Sequence, residues 1–203
     1  VQTCALPIYA NIVLQLAAMG SQTTLKEGSE KMLWGASAVQ DLAFKGTPKE
    51  MTVEEILELQ DAFAAAALRA KQAGFDAVQM HVAHGYLLNK YLSPYYNLRT
   101  DNYGGSIDNR ARIVLETYKA IREKVGADYP VLAKINSEDF MEDGMTFADC
   151  QYVCKQLAAL GVAAIEISGG SPQPGHGGVD ELARQQPQLQ LVERIECTPA
   201  ALH

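Results

Sequence analysis

Three times in this chain an apolar stretch with helical spacing runs into a glycine and then directly into a short apolar run: at Gly74, Gly126 and Gly161. Glycine just past the end of a helix is favoured because it takes a left-handed backbone without steric cost. Strands are therefore predicted over residues 75–81, 130–135 and 162–167, and a fourth over residues 11–16, which are β-branched at the start. The helices are predicted from Thr52, where Glu55 completes a capping box, and from Thr146, where Asp149 does the same. The first presents Val53, Ile56, Leu57, Phe63, Ala64, Ala67 and Leu68 as its apolar face. A further helix carries Ile113, Val114, Thr117, Tyr118, Ile121 and Val125 after a long loop over residues 82–107, rich in polar and aromatic residues. Strands alternating with crossover helices return in the same direction, so the sheet is parallel and the class is α/β. The strands are apolar on nearly every residue, as in VLAKI and AAIEI, which suits a sheet covered on both faces. A doubly wound sheet and a barrel both satisfy this pattern.

The 203 residues suffice for one domain, with 48% hydrophobic and 20% charged residues. A net charge of -7 argues against nucleic acid or an anionic membrane surface as partner and leaves a small molecule. No apolar run approaches the roughly 18 residues of a membrane span, and no basic segment precedes an apolar one at the N-terminus, so the cytoplasm is the expected location. Of the four cysteines, Cys150 and Cys154 share a helical face with Phe147, Val153 and Leu157 and are expected to be buried rather than to ligate metal.

The two ends differ in character from the middle. Residues 1–8, VQTCALPI, can be back-translated to the end of a widely used sequencing adapter, and are read as a non-native leader in which Cys4 carries no biology; the alternative is a loop before a strand. After Gly178 the chain becomes Gln-rich without a clear strand, so residues 179–203 are left unassigned, open to an off-frame reading. The domain is placed at residues 9–178.

In both architectures functional groups lie beyond the carboxyl ends of the strands. There the sequence offers Gln15, then His81, His84 and Tyr86, then Lys134 beside Asn136, then Ser168, Gly169 and Gly170. Two histidines three apart could bind metal or pack in a core, but no third ligand stands at a recognisable spacing. Lys134 could serve as a Schiff-base lysine of an aldolase-like lyase. Tyr91, Tyr95, Tyr96 and Tyr103 are expected to pack the long loop. Arg110 and Arg112 are expected to anchor a helix start through surface or interstrand ion pairs, and Glu138 and Asp139 to be solvated or structural.

The stretch GFDAVQMHVAHGYLLNKYLSPYYNLRTDNYGGSIDNRAR, Gly74 to Arg112, resembles the signature of the old yellow enzyme family of NADH:flavin oxidoreductases. VLQL at Val13, VLAKINSEDF at Val131 and IEISGG at Ile165 agree with it in the same order. The resemblance implies a (β/α)8 TIM barrel of which this chain holds strands three to six, with FMN at the carboxyl mouth and NADH or NADPH as reductant. It implies that Gln15 meets the flavin pyrimidine edge and that Lys134 stands where the family carries Arg or Lys near flavin N1. A fixed cation there stabilises the charge of the reduced ring. By the same match His81 and His84 hold the carbonyl or nitro oxygen of an activated alkene, and Tyr86 protonates its α-carbon. A phenol stays protonated at neutral pH, as a general acid must.

Counted this way, the phosphate-holding loops after strands seven and eight lie outside the chain. The resemblance therefore implies an internal piece that is inactive by itself. A four-strand arc leaves unpaired edges, which invite association.

Overall fold

The computed structural model describes residues 11–23 and 33–171, together with the backbone of residues 195–196. The expected leader, the unassigned tail apart from that short strand, and Cys4 and Cys197 lie outside the described residues. The elements run β1 (Val13–Leu16), β2 (Trp34–Gly35), β3 (Lys49–Glu50), α1 (Val53–Gln72), β4 (Ala77–Val82), α2 (Leu87–Leu92), α3 (Ile107–Val125), β5 (Val131–Asn136), α4 (Phe147–Ala159), β6 (Ala164–Ser168) and β7 (Ile195–Glu196). Gly74, Gly126 and Gly161 all take positive φ, at 86°, 83° and 84°, as the helix-to-strand turns require. Both capping boxes form: Thr52 accepts from Glu55 N at 3.2 Å and Thr146 from Asp149 N at 3.2 Å.

Strand order decides between the two architectures left open by the pattern. The main sheet runs β1-β4-β5-β6-β7, so the four longer strands stand side by side in chain order and all pair in parallel. A doubly wound sheet reverses its order at a switch point and carries helices on both faces. Here the order does not reverse, and the strand positions Leu16, Val78, Met80, Val82, Val131, Ala133, Ile135 and Ile165 share one core with Ile56, Phe63, Ile113, Tyr118, Ile121, Val153 and Leu157 of α1, α3 and α4. That is the arrangement of a (β/α)8 barrel, here as an arc of it.

The expectation of a sheet covered on both faces holds for β4, buried at every residue, but not for the strands beside it. In β5 the residues facing the helices are fully buried, whereas Leu132 and Lys134 on the other face are half-buried, and Gln15 in β1 is exposed. Period two puts Gln15, Gln79, His81, Lys134 and Glu166 on this second face. The polar residues set within the apolar runs mark it.

Other differences are local. The long loop contains α2, whose residues Leu87 to Leu92 are all buried, and Tyr91, Tyr96 and Tyr103 pack in the interior as expected. Val53, Leu57 and Phe147 are exposed, because α1 and α4 turn Ile56, Leu59 and Phe63, and Cys150, Val153 and Leu157, inward instead. The edge of β6 is paired: β7 lies antiparallel to it, Ile165 opposite Ile195. In the segment between β1 and α1, β2 and β3 form a two-stranded parallel ladder. It is tied to the chain after α2 by Arg99, which donates to Ala36 O and Met51 O at 3.2 and 2.6 Å. The buried Lys90 of α2 pairs with Asp41 and donates to Ser21 Oγ at 2.6 Å. Among the described residues no helix is long and apolar enough to cross a membrane.

Arg110 is not at the surface. Its guanidinium is buried between helices, donating to Asp149 Oδ1 at 2.9 Å, to Gly105 O at 3.0 Å and to Leu92 O. It thus joins the starts of α3 and α4 to the end of α2. Removing one partner of a buried ion pair leaves the other uncompensated, at a cost of about 3–5 kcal/mol. Arg110→Met is expected to lower unfolding stability by about 3 kcal/mol, whereas Thr52→Ala, which removes one exposed cap, costs about 1 kcal/mol. Urea unfolding of both variants checks the ranking; an Arg110→Met midpoint equal to or above that of Thr52→Ala would contradict it.

Candidate active site

The site is built where β4, β5 and β6 end. In the parallel ladder His81 stands opposite Lys134 and Lys134 opposite Glu166, so three side chains from three strands share one row. Gln15 and Gln79 form the row below, in register with each other. The two rows are joined: Gln15 Nε2 donates to Gln79 Oε1 at 2.7 Å, Gln79 Nε2 to Glu166 Oε2 at 3.0 Å, and Lys134 Nζ to Glu166 Oε1 at 2.9 Å. Burial works to raise the Glu166 carboxyl, but the bonds from Lys134 and Gln79 outweigh it and hold it below its usual value. Glu166 and Gln79 are absent from the residues singled out in the sequence. A signal for each is there in retrospect, since Gln79 lies two before His81 on the same face and Glu166 is the one charged residue in an apolar strand.

Beyond β4 the chain makes a tight left-handed turn. His84 has φ 60° and Gly85 φ 71°, so two successive residues sit in the region that L side chains avoid at a cost of about 1–2 kcal/mol each. Only glycine escapes that cost, and His84 does not. The turn is held by side chains: His84 N donates to Asn136 Oδ1 at 3.0 Å, Gly85 N to Asn89 Oδ1 at 2.7 Å, and Gln22 Nε2 to His84 O at 2.7 Å. Tyr86 then caps α2, with Lys90 N donating to its carbonyl at 3.0 Å.

The turn gathers three rings. His81 and His84 stack edge to face at 5.0 Å between centroids, and His81 lies 4.5 Å from Tyr86. Ala83 N donates to His81 Nδ1 at 3.2 Å, which puts the proton of the neutral ring on Nε2. His84 Nε2 lies 2.6 Å from Ser168 Oγ at the end of β6. Burial, then the Lys134 charge, pushes His81 down to about 4; burial, then His81 and Lys134, brings His84 to about 4 as well. Two neutral imidazoles are hydrogen-bond donors that carry no charge of their own into the site.

The structure thus brings together five residues singled out in the sequence: Gln15, His81 and Lys134 along one face of the sheet, and His84 and Tyr86 on the turn that follows His81. Among the described residues no group of three or more His, Cys, Asp and Glu is placed to hold a metal ion. Cys150 and Cys154 lie on α4 with their sulfurs 3.8 Å apart, on the far side of the sheet from this row.

Fold and site together define the carboxyl mouth of a barrel, with a polar row across the strands and a His81–His84–Tyr86 cluster where they end. Comparison with known proteins states the class. The model of the NADH:flavin oxidoreductase / NADH oxidase family matches residues 9–171, and the chain belongs to that family. It is 39% identical over 164 residues to the NADH oxidase of Thermoanaerobacter brockii, covering 79% of this chain and 25% of that protein. It is 40% identical over 162 residues to the NADPH dehydrogenase of Bacillus velezensis, covering 80% of this chain and 46% of the relative. Among solved structures, morphinone reductase superposes with a TM-score of 0.70 at 28% identity, over 88% of this chain and 54% of that one. The chain therefore spans about half or less of the length of these relatives. The partial (β/α)8 barrel and the old yellow enzyme resemblance both stand, and FMN with NADH or NADPH is the cofactor pair of the family.

Both histidines have folded pKa values below the ordinary 6.5, so the unfolded chain binds more protons between about pH 6.5 and 4. Stability is then complete above pH 6.5 and is lost as pH falls toward 4. Ring-proton NMR titration is expected to give midpoints near 4 for both, and Lys134→Met, which removes a cation and leaves Glu166, should raise that of His81. Midpoints at 6.5 in the folded protein would refute the buried, neutral pair.

Proposed function

We propose that this chain carries the flavin pyrimidine site and the substrate-binding site of an FMN-dependent ene-reductase, which moves two electrons from NADH or NADPH to an activated C=C bond. The observation that supports it most is the cluster of two neutral histidines and Tyr86 at the strand ends, continuous through His81 with the row that holds Lys134, Glu166 and the Gln15 and Gln79 amides. The donor set fits FMN. Gln15, exposed at the end of the row, would meet the heterocycle's amide-like edge, and Lys134 would stand by the part of the ring that gains negative charge. FMN, when bound, supplies the two-electron relay between nicotinamide and alkene.

The residues of the chain do the rest. His81, with its proton on Nε2, and His84 bind the oxygen of the activating carbonyl or nitro group. Being neutral, they donate hydrogen bonds that strengthen as negative charge grows on that oxygen, and loss of one such donor costs on the order of 100-fold in rate. Tyr86, 4.5 Å from the His81 ring, gives its hydroxyl proton to the α-carbon, completing the addition of one hydride equivalent and one proton across the double bond. The Schiff-base reading of Lys134 is the weaker one, because its amine is committed to an ion pair with Glu166, whereas a Schiff base requires a free nucleophilic amine.

The reaction is proposed for the whole protein, since the chain spans 46% of its NADPH dehydrogenase relative; the 203 residues alone are proposed to be inactive. Adding FMN to the purified chain and recording its visible spectrum tests that last point, because NAD(P)H-dependent bleaching with turnover of an enone would overturn it. In the whole protein, Tyr86→Phe should lower enone turnover by about 100-fold or more while NADPH still bleaches the flavin at the parent rate. His81→Ala and His84→Ala should each lower turnover on the order of 100-fold, with weaker substrate binding. A protein that binds no FMN, or an unaltered Tyr86→Phe enzyme, would defeat the reading.

A further inference from the structure

A group of polar side chains beneath the left-handed turn is not used by the chemistry above, yet it is among the most buried in the molecule. Asn89, Asn136 and Asp139 are all fully buried, and Ser171 nearly so. They come from α2, the end of β5, the loop after it and the loop after β6. Asp139 lies 50 residues from Asn89 in sequence.

The Asp139 carboxylate is at the centre. Its Oδ1 accepts from Asn136 Nδ2 at 2.9 Å, from Asn89 Nδ2 at 3.2 Å and from Ser171 Oγ at 3.0 Å, and its Oδ2 accepts from Met145 N at 2.9 Å. Among the described residues it makes no salt bridge. Burying a carboxylate without a cation is costly unless donors surround it, and four do. What those donors gain is orientation. An amide side chain can present either its oxygen or its nitrogen, and a carboxylate, which only accepts, can face only the nitrogen. With both NH2 groups turned to Asp139, the carbonyl oxygens of Asn136 and Asn89 must face the other way. They meet His84 N and Gly85 N, the two amides of the left-handed turn, and the Asn89 oxygen also accepts from Asn136 Nδ2 at 3.3 Å and Ser171 Oγ at 3.1 Å.

We propose that Asp139 is a positioning residue for the substrate-binding turn: by fixing the orientation of Asn89 and Asn136 it holds His84 and Gly85 in their left-handed conformation and so aims the His84 ring. The proposal deepens the reading of His84 as a substrate-oxygen donor and rests on it for its meaning, though not for its test. The Asp139 and Asn89 side chains are removed from the reacting atoms and act only through the turn.

Asp139→Asn keeps shape and volume but replaces one accepting oxygen with an NH2 group, which must face either the NH2 groups of Asn89 and Asn136 or the Met145 N–H, and it removes the charge from the acceptor that remains, so the hold on both amides weakens. In the 15N-labelled chain, amide exchange at His84 and Gly85 is expected to quicken at least tenfold, with the Ile113 and Tyr118 amides of α3 unchanged. The 15N resonance of His84 Nε2, now bonded to Ser168, is expected to move as the ring loses its place. Asn89→Ala is the second variant and covers the case in which Asp139→Asn does not fold. It removes the acceptor of Gly85 N, and with it the Asn89 bonds to Asn136, Ser171 and Asp139, but leaves Asn136 Nδ2 bonded to Asp139 and its oxygen to His84 N, so Gly85 should exchange faster while His84 stays protected. Unchanged exchange at Gly85 in Asn89→Ala, or acceleration spread evenly through α3 in Asp139→Asn, overturns the proposal. These measurements need neither flavin nor substrate. Failure of the wild-type whole protein to bind FMN would therefore defeat the oxidoreductase reading alone, and a protected His84 amide in Asp139→Asn would defeat this one alone.

Discussion

The parallel register of β4, β5 and β6 is the constraint on which the rest of the molecule hangs. Because side chains alternate faces along a strand, pairing His81 with Lys134 and Lys134 with Glu166 decides at once which residues meet the helices and which are left for chemistry. A slip of one residue would put Met80 and Ala133 into the polar row and His81 and Lys134 against α3. Burial of large apolar side chains, each contributing about 1.5–3 kcal/mol, strongly disfavours that slip. The hydrophobic layer thus specifies the polar one without touching it.

Charge in the polar layer is balanced along the row. Lys134 and Glu166 pair, Gln79 bridges to Gln15, and burial, assisted by the Lys134 cation, keeps both histidines neutral. A site assembled this way offers directional donors without a net positive charge at the place where negative charge is proposed to grow. Preorganised dipoles of this kind need no rearrangement when the reaction begins. The cost is transferred to the turn that carries His84, whose left-handed backbone must be held by side chains from β5, α2 and the segment after β1.

That division of labour explains the unusual density of buried polar groups around α2. Lys90 with Asp41 and Ser21 on one side, and Asn89 with Asp139 and Asn136 on the other, secure a six-residue helix that is too short to be stable by itself. Tyr86 at its start is thereby fixed relative to the strand ends. The helix is a pedestal for the turn.

Much of this was legible in the chain of residues. The alternation of strands and helices, the three glycine turns and both capping boxes are local patterns, written in φ preference and in periods of 3.6 and 2 that a few neighbouring residues carry. Gln15, His81, His84, Tyr86 and Lys134 were legible because they fall at strand ends and within motifs that resemble a known family. Strand order, the uneven covering of the sheet, the pairing of Glu166 with Lys134 across 32 residues and the burial of Asp139 and Arg110 were not. Those depend on which segments pack together, and a residue such as Asp139 looks like any solvated acid until the fold surrounds it with donors. Local sequence determined the elements and the candidate chemistry; tertiary packing alone decided the register, and with it the partners that hold that chemistry in place.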